Sequence, residues 1–269
     1  TFSAQAQSGA SLGGAAATGG TMQIIADAGT IRLPGYTSLS TGGVAGGNFD
    51  FGGPAPTGRG GTLVIRTVAE PSNGSSLAFD DLQADADGSS YTDVEGSPGS
   101  GTGAGNGLGG NVTVDIQGGS LSIANAAYVS ADGYGGGVGP NSGTGTGGTV
   151  AFTQGGGDVT AGDLYVSADG FGGFDPVAAG DGFGGTATMT LAGGTLTAAD
   201  VIVSADGVGQ YGFDGDDSDT ANILAAGDGG NGTGGTAAIT LDGNALVETS
   251  TLAALATGTG GDGGSFFNY

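Results

Sequence analysis

The sequence predicts an all-β chain wound as a parallel β-helix with three short strands per coil. Three observations predict it: one unit recurs along the chain, each unit alternates apolar and polar residues with a period of two, and nothing in it favours helix. The clearest copy is Gly184 to Gly207, GGTATMTLAGGTLTAADVIVSADG. In its first strand Ala187, Met189 and Leu191 alternate with Thr186, Thr188 and Thr190, which puts the two sets on opposite faces of an extended chain. Gly193-Gly194 supplies a turn, where φ > 0 is tolerated. A second strand has Leu196 and Ala198 inward with Thr195 and Thr197 outward, and a third puts Val201, Val203 and Ala205 inward before Asp206-Gly207.

Copies open at Gly19-Gly20-Thr21, Gly60-Gly61-Thr62, Gly109-Gly110-Asn111, Gly147-Gly148-Thr149, Gly184-Gly185-Thr186 and Gly234-Gly235-Thr236, at spacings of 41, 49, 38, 37 and 50 residues. A further partial copy is expected from Gly263. The inward positions of the first strand are Met22/Ile24/Ala26, Val112/Val114/Ile116 and Ala237/Ile239/Leu241, whereas Val150/Phe152 are followed by Gln154. The third strand returns as Tyr128-Val-Ser-Ala-Asp-Gly133, Tyr165-Val-Ser-Ala-Asp-Gly170 and Ile202-Val-Ser-Ala-Asp-Gly207, and in degenerate form as Gln83-Ala-Asp-Ala-Asp-Gly88. Such a period marks a solenoid of stacked units, so residues 1–269 are read as one β-solenoid segment. Propeller blades would need four strands per unit and aromatic signatures, and there is no Trp.

Length varies at one corner. The stretches 133–146, 170–183 and 207–233, rich in Gly, Asp and Asn, differ between copies, as expected of loops gathered on one edge of a solenoid. The second copy also expands over Glu70–Ser76.

Composition narrows the function classes. Gly and Pro make up 73 of 269 residues, a share that taken alone suggests disorder, but the apolar residues sit at strand-alternating positions instead of at random. The net charge is −23, with no Lys and only Arg32, Arg59 and Arg66 as basic residues. That excludes nucleic acid and anionic membrane surfaces as natural partners, since both need a basic face. No cysteine is present, so neither disulfides nor thiolate metal sites contribute. With no His, Cys or Lys, the usual nucleophile–base pairs cannot be assembled, so no enzyme activity and no catalytic residue are expected. Neither a signal peptide nor a membrane span is visible, and Thr1–Gly9 reads as the tail of an earlier copy. The chain is therefore expected to be an excerpt of a longer repeat protein.

The best ligand candidate is the loop Phe213-Asp-Gly-Asp-Asp-Ser-Asp219, where Asp214, Asp216, Asp217 and Asp219 offer hard oxygen ligands suited to calcium. It lacks the Glu at position 12 of an EF-hand loop and does not match the nonapeptide of calcium rolls, which leaves a solvated acidic flap as the plainer reading. The corners at Asp132, Asp169 and Asp206 would stack their carboxylates about 5 Å apart if the coils are in register; ordinary turn chemistry, with each Asp bonding its own backbone, is the plainer reading there. Asp181, Asp228 and Asp262 carry the same ambiguity. The outward threonines suggest an ice-matching array, but Ser120-Leu-Ser122 and Asp158-Val-Thr160 break it, and β-propensity explains them.

Through GGTATMTLAGGTLTAADVIVSADG and its copies the chain resembles the large β-helical exoproteins of Gram-negative bacteria, of the filamentous-haemagglutinin-like adhesin and autotransporter-passenger type. The resemblance is one of repeat style over nearly the whole chain, and no binding residue of the family can be carried over. It implies a secreted or cell-surface rod that displays loops for adhesion or biofilm contact with a surface, a glycan or a neighbouring cell. The alternative is a self-assembling filament or surface-layer component, stiffened by calcium and built by head-to-tail pairing of exposed strand edges.

Overall fold

The computed structural model describes residues 2–3, 6–7, 16–46, 56–68, 74–91, 104–137, 142–174, 178–212, 215–216, 227–263 and 266–267. Strands stack in parallel, each on its equivalent one coil away, which is the expected parallel β-helix. The first strand of each copy forms a six-stranded ladder of Thr21–Ala26, Thr62–Thr67, Asn111–Ile116, Thr149–Gln154, Thr186–Leu191 and Thr236–Leu241. The second and third strands form two further ladders, as in Ser120–Ile123 and Ala126–Ser130. In the lower coils these two strands run together as Thr30–Ser40 and Ser76–Asp85, which joins the ladders into one sheet. A register shift between Leu33 and Tyr36, around Pro34-Gly35, lets the longer strand turn the corner.

Register is set by the inward residues, because a slip of one would turn every apolar side chain outward. Like therefore lies over like: Ile24, Ile65, Val114, Phe152, Met189 and Ile239 form one core column. Leu82, Ala127, Leu164, Val201 and Leu252 form another. Leu63, Ile65, Leu164 and Met189 are wholly buried. Two polar residues enter the column of Ala26, Ile116 and Leu191, and both bond turn carbonyls: Thr67 Oγ1 donates to Gly118 O (2.6 Å), and Gln154 Nε2 to Gly157 O (2.9 Å) and Thr195 O (3.0 Å). One coil buries too little apolar surface to offset its ordering entropy, so stability comes from the stack.

Beyond the three core strands, each coil has two short strands that the alternation pattern did not reveal. An outgoing strand follows the Asp-Gly corner, as in Gly88–Tyr91, Gly133–Tyr134, Gly170–Phe171 and Gly207–Val208. A returning strand precedes the Gly-Gly corner, as in Asn106–Leu108, Gly145–Thr146, Gly182–Phe183 and Gly232–Thr233. The two ladders pack against each other through glycine. A Cβ built on Gly88, Gly107, Gly133, Gly145, Gly170, Gly182, Gly207 or Gly232 would lie 1.9–2.2 Å from a carbonyl oxygen of the opposite ladder. The glycines thus zigzag up a flange in which backbone meets backbone. Farther out, single hydrogen bonds cross the flange in the same manner: Gly143 N to Gly136 O, Gly173 N to Gly143 O and Gly180 N to Gly173 O, all at 2.8–2.9 Å. The stretches 133–146, 170–183 and 207–233 each connect an outgoing to a returning strand, so their length variation falls on the flange. Glu70–Asn73, from the expansion of the second copy, lies outside the described residues. Phe266–Phe267 pairs in parallel with Gly215–Asp216, in the stretch after an outgoing strand, and not with the first-strand ladder.

Candidate functional site

Two features run along the rod. The first is a column of carboxylates at the third corner. The Ser-Ala-Asp-Gly motif ends the third strand and starts the flange, and strict register brings Asp87, Asp132, Asp169 and Asp206 over one another. Each carboxylate accepts the backbone N–H of the next Asp: Asp132 N to Asp87 Oδ1, Asp169 N to Asp132 Oδ1 and Asp206 N to Asp169 Oδ1, each 2.7 Å. The hydroxyl two residues earlier in the next coil adds a second bond: Ser130 to Asp87 (3.0 Å), Ser167 to Asp132 (3.1 Å) and Ser204 to Asp169 (3.0 Å). Thr257 stands where the next Asp would be and closes the column, donating its N–H (2.6 Å) and hydroxyl (2.8 Å) to Asp206 Oδ1.

The expected stacking of Asp132, Asp169 and Asp206 is present, but the partner differs from the turn reading: each bonds the coil above instead of its own turn. The sequence reading missed Asp87, because Asp85 replaces the motif's Ser in the degenerate copy. The Asp-Gly pair that ends the degenerate run Gln83–Gly88, as it ends each intact copy, was the available signal. Among the charged groups named here the column has only acids as company. Burial first, then the charge of Asp87, pushes Asp132 up to about 7. Burial pushes Asp87 up to about 6, with the charge of Asp85 adding to it, and burial also raises Asp85 and Asp169. Tyr134, whose hydroxyl lies 3.4 Å from Asp132 Oδ2, is likewise raised by burial and then by that carboxylate.

Asp181 makes a similar bond, accepting Asn231 N at 2.6 Å and Asn231 Nδ2 at 3.1 Å. Asp228 belongs to a different register, bridging to Ala178, and the carbonyl of Asp262 accepts Gly212 N (2.8 Å). The three are therefore not one column.

The second feature is a trough of about 620 Å³ along the Gly-Gly corners of five coils. Gly19-Gly20, Gly60-Gly61, Gly109-Gly110, Gly147-Gly148 and Gly184-Gly185 form its floor. One wall carries Thr21, Thr62, Asn111, Thr149 and Thr186, and the other Thr18, Arg59 and Thr146. Among the described residues no carboxylate lines it, in a chain of net charge −23. The floor is rigid, because the second glycine of each pair donates across the base of the flange: Gly110 N to Ala86 O (2.7 Å), Gly148 N to Ala131 O (2.6 Å) and Gly185 N to Ala168 O (2.6 Å).

Of the calcium candidates only Asp216 is among the described residues. Asp214, Asp217 and Asp219 lie outside the described residues, and Asp216 is in the two-residue strand paired with Phe266–Phe267. Among the described residues no group of three or more His, Cys, Asp or Glu is placed to hold a metal ion. Arg66 forms an ion pair with Asp115 (3.0 Å), while Arg32 and Arg59 are exposed on other ladders. Compared with known proteins, the chain matches no family model, no curated protein and no solved structure.

Proposed function

We propose that the chain is a non-enzymatic structural rod of the bacterial surface or extracellular space, serving adhesion or contact between cells in a biofilm. The observation that carries the reading is that register holds through six coils while length varies between outgoing and returning strands. A scaffold under that constraint can exchange its displayed segments without disturbing its core. The trough is the lane best suited to a partner: it is long, hydroxyl-lined and, among the described residues, free of carboxylates, so it suits an uncharged linear polysaccharide laid along the rod. An anionic polymer would meet the repulsion of the net charge of −23. Two pairs of aromatic rings on the surface are engaged with each other. Tyr128 and Tyr165 stack on each other at 4.9 Å, and Tyr134 and Phe171 at 5.1 Å, so each pair has one ring face of each partner already covered.

Binding of the chain to immobilised neutral and acidic polysaccharides, with Thr149→Val/Thr186→Val as the trough variant, tests the reading. Retention on a neutral polymer, lost in the variant, is the expected result. Retention on none, or equal retention of the variant, refutes the trough as the contact lane.

The alternative reading is a self-assembling filament built by head-to-tail pairing of strand edges. Light scattering against concentration would reveal head-to-tail growth, and a constant monomer mass would exclude it. Calcium stiffening predicts a rise in thermal midpoint with Ca²⁺ over chelator that Mg²⁺ does not reproduce. Equal midpoints refute it.

A further inference from the structure

We propose that the Asp87–Asp132–Asp169–Asp206 column is a proton-holding ladder that tightens the coil stack in mild acid and loosens it as the pH rises. The geometry makes the case. Four carboxylates sit in successive coils at a spacing of about 4.8 Å, and every hydrogen bond named for them comes from a neutral donor, either a backbone N–H or a hydroxyl. Asp132 is 8% exposed. Like charges so close and so poorly hydrated oppose one another, and a proton taken up by one relieves its neighbours.

Among the described residues the charged and titratable groups facing the column are Asp85 from the end of the third strand and Tyr134 from the outgoing strand, together with the column's own members above and below. None is basic. Arg66 is engaged with Asp115 on the first-strand ladder, and Arg32 and Arg59 are exposed on the second-strand and returning ladders. A cation at this corner would have made the carboxylates ordinary acid-sensitive partners. Its absence from the surroundings just named reverses the sign.

The sign follows from linkage. The folded-state values lie above the ordinary 3.8, at about 6 for Asp87 and about 7 for Asp132. The folded chain therefore holds protons that the unfolded chain has released. That stability is fully present below the unfolded value and is lost as pH rises through the folded ones, between about pH 4 and pH 7. Each proton so held changes the folding equilibrium constant about tenfold per pH unit in that window. Asp87 and Asp132 lie on adjacent rungs and titrate together, so the macroscopic steps belong to the pair and not to single residues.

The test is equilibrium denaturation of the whole chain at pH 5.5, 6.5, 7.5 and 8.5 in 0.5 M NaCl, which screens surface repulsion far more than a buried column. The expected wild-type result is a folding constant that falls at least about tenfold from pH 5.5 to 7.5. Asp132→Asn imitates the protonated rung: its amide oxygen still accepts Asp169 N–H, and its charge is gone. It should flatten the profile and be more stable than wild type at pH 8.5, whereas the exposed Asp27→Asn should leave the slope unchanged. Because Asp132→Asn risks failing to fold, the carboxyl carbon shifts of the wild-type aspartates are followed by NMR over the same range. At least one inflection above pH 5.5 is expected, and it should move in Asp87→Asn. A wild-type constant that is flat or rises with pH, or carboxyls that all titrate below pH 5, overturns the proposal.

Discussion

Replacing Gly170 by Ala tests whether the flange is a packed layer or merely glycine-rich linker. Gly170 has no positive φ, so alanine is conformationally allowed there. In a flexible segment the change would therefore stabilise by about 0.4–1 kcal/mol, because it removes freedom from the unfolded chain. In the flange the new Cβ would lie 2.1 Å from Phe183 O, 2.6 Å from Phe183 C and 2.7 Å from Gly145 O. Carbon–oxygen contacts settle near 3.3 Å, so one ladder must retreat by roughly 1.2 Å. Neither side retreats easily, since Gly170 N is held by Asp206 O and Phe183 O accepts Gly147 N, both at 2.8 Å. Overpacking of this kind costs about 1–3 kcal/mol, and backbone against backbone belongs at the upper end. Denaturant unfolding of Gly170→Ala beside Gly74→Ala measures the difference. A Cβ at Gly74 meets nothing within 4 Å, and its φ is not positive, so that variant should be neutral or slightly stabilised. If Gly170→Ala behaves like Gly74→Ala, the packed-flange account is wrong.

Two further substitutions probe the core column, both read by denaturant midpoint. Phe152→Ala removes a 1% exposed ring packed between Val114 and Met189 and should cost about 3–5 kcal/mol. A loss below 1 kcal/mol would mean that the stack collapses to fill the gap. Gln154→Leu should stay within about 1.5 kcal/mol of wild type, because Ile116 and Leu191 occupy the same column position. The amide oxygen it removes has no hydrogen-bond partner among the described residues. Gln154→Ala should cost more, losing both the turn-pinning bonds and the volume, and an equal cost for the two variants would refute this view of the site.

Much of the architecture was legible in the chain because a period of two and a repeated Gly-Gly-Thr corner are local signals, and the core requires inward residues to recur in register. Met189 over Phe152 over Val114 follows from counting positions after each corner. The corners at Asp132, Asp169 and Asp206 were found the same way. The glycine-led strands were not, although Gly145-Thr-Gly-Gly-Thr149 and Gly182-Phe-Gly-Gly-Thr186 repeat plainly, because glycine carries no side chain through which alternation can be read. Its role is visible only as the distance to a carbonyl on another ladder.

By itself, then, the sequence determined the all-β class, the inward residues and the net charge of −23. Tertiary structure alone decided which backbone each aspartate bonds, that Asp87 joins the column, and that Gly88 through Gly232 close a flange. The physical reason is range. Alternation and turn chemistry act between residues a few positions apart, whereas a carboxylate's burial and a glycine's necessity depend on atoms one coil away, some 35 to 51 residues distant along the chain.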